Sequence, residues 1–183
     1  CKFIADHELG VFLQVELKTG ISGIPKFFPY LDKTTAQNAL ELLPKTKNWA
    51  VPIGLTTNRR FVYYDARKFP HLLVAGATGG GKSVFLNQML CTLIQNNSPA
   101  ILKVLLIDLK GGLEFDVYHN IPHIYDDVII NRENVPAAFR KIQAEKERRF
   151  AMFRGDAKDI DGWNHTHRMK LPRIFVIFDE IAN

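Results

Sequence analysis

The 183-residue sequence predicts an α/β fold in which helices flank a parallel sheet, with a small β-rich segment in front. Three observations lead there. After Pro70 the pattern runs strand, loop, helix, strand, the grammar of a parallel α/β sheet. Residues 101–107 and 173–178 are nearly continuous apolar runs, as expected of strands covered on both faces. A glycine-rich turn, Gly76 to Gly81, separates a short strand from an amphipathic helix.

Each element follows in order. Leu13, Val15 and Leu17 alternate with Gln14, Glu16 and Lys18, the period of a half-buried strand. Thr34 to Leu43 reads as a short helix stopped by Pro44, and Trp49 to Leu55 and Arg60 to Tyr64 are strand-like, with a turn at Thr56, Thr57 and Asn58. Residues 1–48 are therefore expected to form a β-rich and helical lead-in, and 49–183 the main domain. His71 to Ala75 is expected to be a strand, and Lys82 to Gln95 a helix with the apolar stripe Leu86, Met89, Leu90, Leu93. Ile101 to Ile107 is the next strand. A long helix is expected over Val135 to Phe153, capped by Asn134 with Pro136 in its first turn, and with Phe139, Ile142, Phe150 and Phe153 facing inward. Arg173 to Phe178 is a buried strand that ends in Asp179 and Glu180.

A content of 46% hydrophobic and 23% charged residues suits one packed core and excludes wholesale disorder. The longest apolar runs fall far short of the roughly 18 residues a membrane helix needs. A formal charge of +5 and a pI near 9.2 permit an anionic partner without requiring one. Cys1 and Cys91 lie far apart; Cys91, beside Met89, Leu90, Leu93 and Ile94, is expected to be buried, which fits a reducing, cytoplasmic setting. Cys1 in place of an initiator methionine, and a last strand followed almost at once by the final residue, suggest a piece of a longer chain.

Gly76-Ala77-Thr78-Gly79-Gly80-Gly81-Lys82-Ser83 fits the P-loop spacing: glycine, four residues, glycine, lysine, then serine or threonine. The chemistry needs this pattern. A strand must deliver the chain to a tight loop and a helix must begin at the lysine, so that backbone N–H groups and the helix dipole converge on phosphate oxygens. In this reading Gly76 to Ser83 cradle ATP, Lys82 reaches the β- and γ-phosphates, and the Ser83 hydroxyl joins a magnesium shell. Such a site also needs an acid at the tip of a buried strand. Ile174-Phe175-Val176-Ile177-Phe178-Asp179-Glu180 supplies it, with Asp179 expected on magnesium and Glu180 as the base that polarises the attacking water.

The same residues, taken together, resemble the FtsK/SpoIIIE family. Pro70 to Gly76 is similar to the family's approach to the nucleotide loop. Ile107-Asp108-Leu109-Lys110-Gly111-Gly112, then Tyr118 and Ile121-Pro122-His123, resemble its next strand and loop. Glu147-Arg148-Arg149-Phe150, Asp159 to Asn164, and Leu171-Pro172-Arg173 leading to Asp179-Glu180 continue in family order, over about residues 49–183. The resemblance implies a RecA-like motor, incomplete here at its C-terminal side. It implies a homo-hexameric ring that moves double-stranded DNA with ATP, in chromosome segregation or conjugation, and it leaves room for a membrane tether outside these residues. Division and sporulation pumps usually show proline where Leu109 stands; Lys110-Gly111-Gly112 is similar to conjugative-transfer and type VII secretion relatives. Without later strands, a sensor and a subunit-bridging arginine, little turnover is expected of these 183 residues alone. The alternatives are a protein-export ATPase of the type VII kind and a nucleotide-binding scaffold that does not turn over.

Two readings stay open. Asp108 and Lys110 end a strand on an edge where ligand contacts collect, and fit a structural turn or a nucleotide-coupled contact equally. Lys141, Lys146, Arg148, Arg149 and Arg154 fit a DNA-facing stripe less well than a solvated helix face paired with Glu145 and Glu147. His165 and His167 are read as a surface loop.

Overall fold

The computed structural model describes residues 2–6, 10–14, 48–55, 61–68, 70–76 and 80–180. They fall into two compact units, Cys1–Asn96 and Asn97–Asn183.

In the first unit, β1 (Lys2–Asp6) pairs antiparallel with β2 (Gly10–Gln14), and β2 pairs in parallel with β5 (Leu72–Leu73). The strand that delivers the chain to the glycine turn is thus only two residues long, shorter than the five expected. β3 (Ala50–Leu55) and β4 (Phe61–Asp65) form an antiparallel ladder with a register shift between Pro52 and Gly54. Proline has no N–H to give a ladder, so an irregularity beside Pro52 follows from the residue itself. Val15 and Leu17, the helix expected over 34–43, and the turn at 56–58 lie outside the described residues.

Helix α1 (Lys82–Asn96) buries Phe85, Leu86, Met89, Leu90, Thr92 and Leu93, the expected stripe with Phe85 and Thr92 added. It is tied to β3 by Gln88 Nε2, which donates to the Pro52 carbonyl oxygen at 2.9 Å. Cys91 is exposed rather than buried. It follows Leu90 by one residue, and a helix turns by about 100° per residue, which carries it off the stripe.

The second unit is built on β6 (Leu102–Asp108) and β7 (Arg173–Asp179), parallel and in register from Leu102↔Arg173 to Asp108↔Asp179. On its other side β6 meets parallel bridges, Val104↔Ile124 and Ile107↔Ile129, so it is flanked twice. Its burial is correspondingly continuous, whereas β7 is mostly half-buried and Val176 is exposed. The expectation of a fully buried β7 is corrected to that extent: among the described residues only one of its edges is paired.

Helix α2 (Val135–Phe153) begins and ends where expected and includes Pro136 in its first turn. Asn134 stands at its N-cap without a side-chain capping bond, because a short 3-10 turn, Arg132–Asn134, leads straight into it. Ala138, with Val135 and Ile142, packs on Leu105, Ile107 and Ile129. Phe139 and Phe150 are exposed, against expectation; the half-buried inner positions further along are held by Glu145 and Arg149. A short helix that the apolar pattern did not reveal, α3 (Ile160–Thr166), starts at Asp159, whose Oδ1 accepts from Gly162 N at 2.8 Å.

Candidate functional site

One candidate region, in the first unit, is the junction of β5 and α1. Gly81 has φ +89°, a left-handed value that residues with a Cβ rarely adopt, and its carbonyl accepts the first helical bond, from Phe85 N, at 2.9 Å. The helix therefore starts abruptly at Lys82, leaving the backbone N–H groups of its first turn without helical acceptors. Among the described residues, a Cβ added at Gly76 or Gly81 would meet nothing within 4 Å. Lys82 and Ser83 are half-buried in the first turn, and Asn87 Nδ2 donates to the Ser83 carbonyl at 3.1 Å. No acid lies in this first turn to oppose an incoming anion. Ala77, Thr78 and Gly79 fall outside the described residues.

A separate candidate region, in the second unit, is the C-terminal tip of β6 and β7, where Asp108 and Asp179 are level with one another and essentially fully buried. They do different work. Asp108 Oδ1 accepts from Lys110 N at 3.0 Å, and Oδ2 from Glu114 N at 2.8 Å and Phe115 N at 3.2 Å. Its carboxylate is the hub of the following loop, in line with the structural-turn reading. The loop's shape demands glycine twice: Gly111 and Gly112 have φ +79° and +83°, and a Cβ on Gly112 would approach Ile130 Cγ2 to 3.1 Å. Phe115, wholly buried, anchors the loop's far side.

Glu180, the first residue past β7, has φ +64°, a left-handed backbone for a residue with a Cβ, which costs about 1–2 kcal/mol. Its Oε1 lies 2.6 Å from Lys110 Nζ. Sequence reasoning had named both residues without linking them.

Residues that position β7 were mostly missed. Asn164 Oδ1 accepts from Leu171 N at 2.7 Å while its Nδ2 donates to the Leu171 carbonyl at 2.9 Å, clamping the chain just before the strand. Arg149 Nη1 donates to the Pro172 carbonyl at 2.7 Å, and Arg173 Nη2 to Asp161 Oδ2 at 2.6 Å. Glu145 holds both Arg148, at 2.7 Å, and Arg149, at 2.6 Å. The hydrogen bond from Arg148, reinforced by Arg149 and opposed by burial, lowers the Glu145 carboxyl to about 2. Lys141 pairs with Asp126, and Lys146 lies over the Phe150 ring. The basic face of α2 is thus largely internally compensated, as the solvated-face reading has it. His167 is no loose surface residue: its ring stacks on Trp163 at 3.6 Å, and Nε2 lies 2.9 Å from Asp156 Oδ2.

A strand delivering a glycine turn to a helix, together with parallel strands tipped by acids, defines the P-loop α/β class of nucleotide-binding domains. The FtsK/SpoIIIE family model matches residues 44–171, and the chain belongs to that family. It is 39% identical over 150 residues to the DNA translocase FtsK of Lactiplantibacillus plantarum, covering 75% of this chain and 19% of that protein. It is 41% identical over 137 residues to the DNA translocase SftA of Bacillus subtilis, covering 72% and 14% respectively. This chain therefore spans less than a fifth of either relative. Among solved structures it is similar to the pCW3 conjugation coupling protein TcpA with ATPγS: TM-score 0.66, 28% identity, 87% of this chain and 41% of that one. It is also similar to the cytoplasmic domain of the Thermomonospora curvata type VII secretion ATPase EccC: TM-score 0.64, 27% identity, 75% and 18%.

Proposed function

We propose that this chain is the nucleotide-binding part of an ATP-driven double-stranded DNA translocase. The observation that carries the reading is the abrupt start of α1: Gly81 at φ +89°, no acid in the first turn, and no described residue within 4 Å of a Cβ at Gly76 or Gly81. That combination accepts a polyphosphate. Resemblance to translocases named FtsK and SftA supplies the cargo.

Each residue has a role. Backbone N–H groups of Gly76 to Gly81 bind phosphate oxygens, and Lys82 neutralises charge that builds on the β- and γ-phosphates. Ser83 and Asp179 offer a hydroxyl and a carboxylate, the hard oxygen donors magnesium takes, and they would hold that ion, which supplies further charge neutralisation on the phosphates. Glu180 orients the water that attacks the γ-phosphate and takes up its proton. The motor segment begins near residue 49, supported by a family match that opens at residue 44. A ring of six copies, with DNA through its centre, completes the reading. No helix among the described residues is long and apolar enough to cross a membrane, and likeness to a cytoplasmic domain of EccC supports a cytoplasmic location.

The test uses the full-length protein. Double-stranded DNA should raise its ATPase rate several-fold, and Glu180→Gln should keep ATP binding while turnover falls about 10²- to 10⁴-fold. An unchanged rate in Glu180→Gln would remove that residue from the mechanism. One specific observation favours a second reading, a type VII export ATPase: the likeness to EccC at 27% identity, alongside Lys110-Gly111-Gly112. An ATPase rate indifferent to DNA would favour the exporter.

A further inference from the structure

We propose that Lys110 is a latch on Glu180, a positioning residue that holds the base in a resting conformation until cargo engages. The inference rests on the reading of Glu180 as the hydrolytic base. Three observations carry it. Lys110 Nζ lies 2.6 Å from Glu180 Oε1, so one carboxylate oxygen faces an ammonium at contact distance. The pair joins a braced turn to a strained residue. Lys110 grows from a rigid turn: its N–H is held by Asp108 Oδ1 at 3.0 Å, Gly111 and Gly112 set the bend, and Asp116 N closes it on the Gly112 carbonyl at 2.9 Å. Glu180 lies just past the last β7 residue, and its φ of +64° is strained.

A strained backbone persists only while its surroundings enforce it. Rotation of Glu180 to negative φ relieves the strain and swings the carboxylate away from Lys110. The ion pair is one of the contacts that oppose this rotation, and its loss shifts the balance towards the released form. Because the Lys110 side chain is 43% exposed, the pair is a modest restraint. Its loss should change the population of the released form by about two- to fivefold, the range a partly exposed ion pair allows.

The test is steady-state ATP hydrolysis by the full-length protein, with and without double-stranded DNA, for the wild type and for Lys110→Met, Lys110→Arg, Glu180→Gln and the Lys110→Met/Glu180→Gln double variant. Lys110→Met should raise the DNA-free kcat about two- to fivefold with KM for ATP unchanged, and reduce the stimulation by DNA in proportion. Lys110→Arg should keep the low basal rate. The double variant should be as inactive as Glu180→Gln alone. A DNA-free kcat that stays level or falls in Lys110→Met, while Glu180→Gln is inactive, overturns the latch and leaves the base in place. Full activity in Glu180→Gln overturns the base assignment itself, and the latch with it.

Discussion

The glycine turn and the acidic strand tip present polar groups in opposite ways. At the start of α1 the chain offers its backbone: Gly81 starts the helix at a left-handed angle, and no described residue crowds Gly76 or Gly81. At the tip of β6 and β7 the chain offers side chains, and each must be held by others. Asp108 spends its carboxylate on three backbone N–H groups, Lys110 reaches Glu180, and Asn164 and Arg149 fix the approach to β7. A backbone site tolerates changes around it but not of it. A side-chain site depends on its whole neighbourhood.

Substitutions can break or sharpen that contrast. The largest effect is expected at Lys82, proposed to neutralise the β- and γ-phosphates: Lys82→Ala should lower ATP turnover of the full-length protein about 10²-fold or more. Normal turnover would show that the turn does not act on phosphate. Next comes Asp108→Ala, which strands three loop N–H groups and should cost about 3 kcal/mol, read as a lower urea midpoint. A midpoint within experimental error of wild type would deny the carboxylate its organising role. Gly81→Ala should cost about 1–2 kcal/mol, from backbone strain alone, since the added methyl has room. A much larger loss would mean that packing, and not φ, selects glycine there.

The smallest effect is expected at Glu145. Glu145→Gln should destabilise by about 1–2 kcal/mol at neutral pH. The sign with pH follows from linkage: the folded carboxyl is held at about 2, below its ordinary 4.5, so its contribution is complete above pH 4.5 and fades as pH falls towards 2. The difference between wild type and Glu145→Gln should therefore shrink across that window in urea titrations. A constant difference would assign the loss to packing.

What the sequence made legible was what repeats or is local. The bounds of α2 followed from its long periodic stretch with Asn134 and Pro136 at the start, and the stripe on α1 from its spacing. The glycine turn needed only eight consecutive residues. Hydropathy misled where an inner position is polar: Phe139 and Phe150 look like core, but Glu145 and Arg149 occupy the inner stripe because their ion pair and the Pro172 carbonyl satisfy them there. α3 has too few apolar residues to announce itself, and the Asp159 cap was its only local signal. The pairing of Lys110 with Glu180 joins residues far apart in the chain, brought together by the register of β6 and β7, which no local pattern encodes.

Among the described residues nothing lies within 4 Å of a Cβ built on Gly76, which makes that position a reporter. If phosphate binds there as proposed, Gly76→Ala interrogates the visitor more than those residues of the host.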